Sequence, residues 1–210
     1  DSDGVQSFTS DGFTLGTNDK YNWTSSHTYV AWCWKGGGAP TADNSAGAGA
    51  TPTSGSVKID GSNLGSALAG SIPATRISAN TKGGFSIITY AGTGSNATIA
   101  HGLSAKPDFI LVKDKGRSGE YWAVYHSSLG ATKYLTLNTN AAAVANSNRW
   151  NDTEPTDTLI SLGTNDNTNG SSTYVCYAWH NVEGYSRFGK YIGNGNADGP
   201  FVYTGFRPAF

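Results

Sequence analysis

Thr173-Tyr174-Val175-Cys176-Tyr177-Ala178-Trp179 is an alternating run of β-branched, aromatic and small residues, and it has a twin near the start of the chain, Thr28-Tyr29-Val30-Ala31-Trp32-Cys33-Trp34. Seven residues of this kind, with period-two alternation and turn-forming neighbours, read as a strand. The twinning predicts two equivalent core strands. Val30, Trp32 and Trp34 are expected on one face, matching Val175, Tyr177 and Trp179 on theirs.

Working outward, Leu15-Gly16-Thr17-Asn18-Asp19 returns as Leu162-Gly163-Thr164-Asn165-Asp166 at an offset of 147, against 145 for the strand pair. Tyr90-Ala91-Gly92-Thr93-Gly94 returns as Tyr191-Ile192-Gly193-Asn194-Gly195, and Pro107-Asp108-Phe109 as Pro208-Ala209-Phe210, both at 101. Matched blocks that keep one order mark an internal repeat. The fall in offset implies about 44 extra residues in the first copy, carrying Gly/Ala-rich loops and two short strand-like runs, Ser56–Asp60 and Ala74–Ala79. The organisation expected is a partial unit over 1–35, an insertion over 36–84, a main unit over 85–185 and the start of the next over 186–210. With no methionine in the sequence, a processed product or an excerpt is expected.

Further strands are expected at Val5–Thr9, Phe13–Leu15, Phe85–Ala91, Asp108–Lys113, Glu120–His126, Lys133–Asn138, Thr158–Leu162, Ser186–Ile192 and Phe201–Phe206. Only Leu64–Ala69 and Ala141–Ala145 read as short helices. The fold class is all-β, an antiparallel sandwich of jelly-roll or concanavalin-like form with Gly/Asn/Ser-rich turns. Composition agrees. Only 14% of residues are charged and the net charge is −1, which excludes the basic stripe that nucleic acid requires. No apolar run is long enough to span a bilayer. The 25 aromatic residues supply burial that the few aliphatics do not.

Chemical motifs thin out on inspection. Gly184-Tyr-Ser-Arg-Phe-Gly189-Lys190 has phosphate-loop spacing, but Tyr191 stands where Ser or Thr would hold magnesium, and no helix pattern follows. Gly92-Thr93-Gly94-Ser95-Asn96-Ala97 follows a strand without the helix of a dinucleotide site, and reads as a hairpin turn. Asn165-x-Asn167-x-Asn169-Gly170 and Asn194-x-Asn196-x-Asp198-Gly199 echo the start of a calcium loop but lack its closing Glu, and read as turns. Cys33 and Cys176 align opposite Ala178 and Ala31, as small buried residues do; a bridge is open only if their strands are neighbours. His27, His101, His126 and His180 have neither ligand nor triad spacing. Distant paired carboxylates of a glycosidase stay open, with Asp152, Glu154 and Asp157 in a Pro-containing loop. The sequence therefore predicts no enzyme, no cofactor and no metal. Trp23 and Trp150 differ from the other tryptophans in lying in polar loops, Tyr21-Asn22-Trp23-Thr24 and Asn148-Arg149-Trp150-Asn151-Asp152. Trp150, Arg149, Asp152, Trp23 and Asn22 are the candidate glycan-binding residues, ring stacking on sugar and neighbours bonding hydroxyls. The plainer reading folds each indole back onto the core.

The runs Tyr29–Lys35, His101–Lys113, Gly184–Gly195, His126–Leu135 and Asp198–Phe210 resemble a repeat domain of marine bacteriophages, found in tail-fibre and tail-associated proteins and often beside domains similar to concanavalin-type lectins. The likeness covers most of the chain, with the insertion outside its strongest part. It carries no assigned activity, so no functional residue transfers. It implies a structural or adhesion module of a virion appendage, located on the virion, associating with itself or with neighbouring repeats and touching host surface glycans. The alternatives are an extracellular bacterial carbohydrate-binding module or lectin, and then a glycan depolymerase.

Overall fold

The residue row Ile77, Ile88, Cys176, Val112, Ala123 crosses five strands, each residue opposite the next and none more than 1% exposed. In the computed structural model, which describes residues 3–23 and 26–208, this row runs through the middle of a nine-stranded sheet. The strands are β3 (Val57–Ile59), β4 (Ser62–Asn63), β5 (Arg76–Asn80), β6 (Phe85–Ala91), β8 (Phe109–Asp114), β9 (Ala123–His126), β10 (Lys133–Thr136), β11 (Val144–Ala145) and β13 (Thr173–Trp179). Their order is β11-β10-β9-β8-β13-β6-β5-β3-β4. β7 (Ala97–Ala100) and β12 (Leu159–Leu162) form a two-stranded sheet whose Ile99, Ala100, Ile160 and Leu162 share the main core with Ile88 and Ile110. The chain is mostly β, with two one-turn helices, α1 (Ser147–Trp150) and α2 (Asp166–Asn169).

β13 is central because its alternation serves two partners at once. Tyr174, Cys176 and Ala178 face the core at 0% exposure, and the strand pairs antiparallel with β6 on one side and β8 on the other. Its other face joins an aromatic layer, in which Trp179 stacks on Phe85 at 5.0 Å and meets Phe109 at 5.6 Å, while Trp122 stacks on Tyr177 at 6.3 Å. Rings at these separations add to their area burial. The insertion supplies β3, β4 and β5 to the same sheet. β3 and β5 run parallel, so the sheet is mixed rather than wholly antiparallel.

The chain divides into two compact units, Asp1–Trp34 and Lys35–Phe210. In the first, β1 (Val5–Phe8) and β2 (Phe13–Leu15) make a bulged hairpin. The expected strand Thr28–Lys35 is absent: those residues form no strand, and Val30 is 83% and Trp32 66% exposed. Ser186–Ile192 and Phe201–Phe206 likewise form no strand, apart from one isolated bridge at Ser186. The physical reason is shared. A strand is made by its neighbours, and none of these segments takes part in a ladder among the described residues as β13 does with β6 and β8. Neither expected helix forms. Leu64–Ala69 is irregular, and Val144–Ala145 pairs with β10. Both cysteines are free thiols, Cys33 exposed and Cys176 buried.

His101 sits at the join between the sheets, fully buried. Its Nδ1 accepts the Leu103 N–H at 3.1 Å, so the ring proton lies on Nε2 and is donated to the Thr156 carbonyl at 3.2 Å. Burial pulls its pKa down to about 4, only partly opposed by the Thr156 bond, whereas an unfolded imidazole titrates near 6.5 (about). The folded form therefore refuses a proton that the unfolded chain accepts, and stability is lost as pH falls from about 6.5 to about 4. Thermal unfolding across that window is expected to lose on the order of 2–3 kcal/mol. His101→Gln should flatten this slope.

Candidate functional site

Asn165 ends an extended segment and caps α2, its side chain accepting the Asn167 N–H at 2.8 Å. The turn this creates presents Asn169 and Gly170 to the rest of the body. Asn169 is buried and uses its whole amide. Nδ2 donates to Ser95 O at 2.6 Å and to Gly163 O at 2.9 Å, while Oδ1 accepts the Thr93 N–H at 2.9 Å. Its carbonyl accepts the Gly94 N–H at 2.7 Å. Asn169 thus clamps the β6–β7 turn, where Gly94 adopts φ 69°. The Tyr174 hydroxyl closes the turn from below, accepting the Gly170 N–H at 2.8 Å and donating to Asp166 O at 2.6 Å.

Charge reinforces the clamp. Asp114 is buried and accepts from Gly116 N, Arg117 N, Ser172 Oγ and Arg117 Nε, at 2.8, 3.0, 2.6 and 2.8 Å. Burial pushes its carboxyl up, but these four donors together hold it below the usual carboxylate range. Arg117 also donates to Asp166 O at 2.8 Å and to Tyr174 Oη at 3.2 Å. A second acidic node is Glu154, which accepts from Lys106 at 2.8 Å, Tyr125 Oη at 2.6 Å and Ala131 N at 2.7 Å. Asn167 bonds to Glu120. The polar atoms of both nodes are spent on the fold.

The same turn is built a second time in the first unit. Asn18 accepts the Lys20 N–H at 2.9 Å, Asn22 Nδ2 donates to Gly16 O at 2.9 Å, and the Tyr29 hydroxyl accepts the Trp23 N–H at 2.9 Å and donates to Asp19 O at 3.0 Å. Position for position these are Asn165, Asn169–Gly163 and Tyr174 with Gly170 and Asp166. A β-carbon on Gly16 would lie 2.4 Å from Asp3 O, and one on Gly163 would lie 2.2 Å from Asn148 O, so both positions require glycine for the same close approach. What the first unit lacks is the strand that follows and the turn that Asn169 clamps.

The residues expected to bind glycan fall in both units, Arg149, Trp150 and Asp152 in the large one. Trp150 is 1% exposed and meets Tyr125 edge-on at 5.9 Å, so it is a core residue with no face left for a sugar. Arg149 is buried with its guanidinium 4.2 Å above the Tyr134 ring, its Nε and Nη1 without a hydrogen-bond partner among the described residues. Asp152 is exposed at φ 47°, directly after Asn151 at φ 52°, where the chain leaves α1. Trp23 and Asn22 belong to the first unit. Trp23 is 47% exposed with its ring 5.8 Å from His27, and Asn22 is exposed and tied to Gly16. Sequence reasoning missed Asn169, Tyr174 and their twins Asn22 and Tyr29 as a clamp, although the repeated Leu-Gly-Thr-Asn-Asp block was its signal. Among the described residues no cluster of three or more metal-ligating side chains occurs, and no helix is long and apolar enough to cross a membrane.

A domain of unknown function, DUF7483, matches the chain over residues 1–59 and 58–210. The chain belongs to this family. No curated protein and no solved structure matches it. The family match divides the sequence just inside β3, so both turns of the Asn18 and Asn165 type fall within it, one in each stretch.

The clamp makes unequal demands on its two copies. Tyr174→Phe leaves the buried Gly170 N–H unsatisfied and should lower the unfolding free energy of the large unit by about 1–3 kcal/mol. Tyr29→Phe should cost less, because the Trp23 N–H that it frees lies in an exposed turn where water can take the place of the hydroxyl.

Proposed function

We propose that this chain is a structural and adhesion module of a repetitive virion appendage, a bacteriophage tail fibre or a comparable tail-associated assembly, and that it has no turnover of its own. The observation that carries the reading is the duplicated turn: it is built once around Asn18 and Tyr29 and again around Asn165 and Tyr174, and among the described residues a strand follows only the second. Units of this kind suit a continuous array, in which each unit contacts its neighbours. The phage-like runs of the sequence and its low charge point the same way. The sharing of one core by β7–β12 and the large sheet supports the two-layer sandwich, of jelly-roll or concanavalin-like form, as the fold of the completed unit.

A second reading, an extracellular carbohydrate-binding module, draws on the exposed Trp23 beside Asn22. Glycan contact through these two residues is compatible with either setting, on a virion or free outside a cell.

Immunoelectron microscopy with antibody against the chain should label a tail or fibre of phage particles from the source material. Label confined to cell surfaces or to the secreted fraction would contradict the virion reading. On a glycan array the purified chain should show retention without hydrolysis. Turnover of polysaccharide, ester or nucleotide that a single carboxylate substitution abolishes would overturn the non-enzymatic reading.

A further inference from the structure

The polar atoms of the Asp114 and Glu154 nodes are spent on the fold, and so is the amide of Asn169. A different arrangement lies at one end of the large sheet, where β5 and β13 begin and β6 and β8 finish. A groove of about 380 Å³ opens there, within the range of small-ligand sites, about 300–1,000 Å³. Thr75 and Arg76 enter it from the start of β5, Thr89 from β6, Thr173 from β13 and Lys115 from just past β8. Arg76 stands opposite Thr89 in the β5–β6 register, and the Thr75 N–H bonds to Thr89 O at 2.7 Å. The Lys115 N–H bonds to Thr173 O, also at 2.7 Å. Cations and hydroxyls are therefore carried on paired backbone, which places them more exactly than a loop would.

Arg76 is steered from outside the sheet. Its Nε donates to Asp43 Oδ1 at 2.5 Å. The segment of Asp43 is in turn tied down by Asn44, whose N–H and Nδ2 bond to Thr75 O and Ala74 O at 2.9 and 3.1 Å. This contact leaves both Nη nitrogens of Arg76 without a partner among the described residues, and the Lys115 ammonium and the hydroxyls of Thr75, Thr89 and Thr173 have none either. Tyr90 and Tyr174 also line the groove, but their hydroxyls are committed to Thr168 O and Asp166 O, and their rings stack at 5.2 Å. They give the groove a fixed wall. Two cations, three uncommitted hydroxyls and a single carboxylate already held by the arginine make a site rich in donors.

We propose that this groove binds an acidic polysaccharide. The Arg76 Nη nitrogens and the Lys115 ammonium take the anionic substituent of one sugar, and the threonine hydroxyls bond the sugar hydroxyls beside it. A guanidinium presents parallel N–H donors that match an oxyanion, and hydrogen bonds to a charged acceptor are about twice as strong as neutral ones. Uronate carboxylates and sulfate esters share this chemistry. The inference rests on the glycan-contact part of the proposed function, to which it adds a ligand class and a place in the large unit. It is independent of Trp23 and Asn22 and of where the module is mounted.

The test is isothermal titration of the full 210-residue chain at physiological ionic strength with polygalacturonate, dextran sulfate, neutral dextran and an oligothymidylate. One of the two acidic polysaccharides should bind about tenfold or more tightly than dextran and the oligonucleotide, and which one does so separates carboxylate from sulfate. Arg76→Gln with Lys115→Gln should weaken that binding about tenfold or more. Thr89→Val, which keeps the β-branched shape and removes the hydroxyl, should weaken it about threefold. Lys82→Gln with Lys133→Gln removes the same charge from exposed positions elsewhere and should change it less than about twofold. Binding of neither acidic polysaccharide, equal binding of the oligonucleotide, or an equal loss in the Lys82 and Lys133 variant would each overturn the proposal. Retention on the glycan array that is lost with Trp23→Ala and unmoved by the groove variants would also overturn it, while leaving the adhesion reading standing.

Discussion

The structure hangs on β13 being held from both sides. Its three inward residues, Tyr174, Cys176 and Ala178, extend across β6 and β8 into continuous rows of buried side chains, of which Ile77–Ile88–Cys176–Val112–Ala123 is one. Fully burying a side chain of the Val or Ile class contributes roughly 1.5–3 kcal/mol, and each row exists only if every strand keeps its register. The Asn169–Tyr174 clamp acts on the same strand, fixing its entry to the turn between β6 and β7. Remove either flank, and the alternating apolar face of the strand has no core to enter.

The first unit carries the twin of this segment. Thr28–Trp34 has the composition and alternation of β13, its entry turn is built bond for bond around Asn18 and Tyr29, and still no strand follows. Local chemistry is enough for a capped turn, whose hydrogen bonds close over a few residues. A strand closes its hydrogen bonds on other segments, and its formation is decided by what lies beside it.

This explains what was legible. β6, β8, β9, β10, β12 and β13 are readable from alternation because each finds partners in the large unit, and the repeat is readable from its Leu-Gly-Thr-Asn-Asp and Gly-x-Gly blocks. The expected strands at Thr28–Lys35, Ser186–Ile192 and Phe201–Phe206 carry equally good patterns, and pattern alone does not say whether a neighbour is present. Trp150 follows its plainer reading, an indole folded onto the core, for a related reason. Its sequence neighbours Arg149, Asn151 and Asp152 are polar, but a one-turn helix followed by two left-handed residues turns the indole inward against Tyr125 while Asp152 faces water. The clamp residues Asn169 and Tyr174 were legible only as a duplicated spacing, since their partners Thr93, Ser95 and Asp166 are set by topology.

Amide hydrogen exchange on the two twin segments of one chain tests this dependence on neighbours most directly. At low concentration, Thr173–Trp179 should be protected to nearly the global unfolding free energy, while Thr28–Trp34 exchanges as an open segment. Equal, strong protection of both segments in a monomeric sample would show that the heptapeptide makes its strand without the flanks of β13, and would contradict the account.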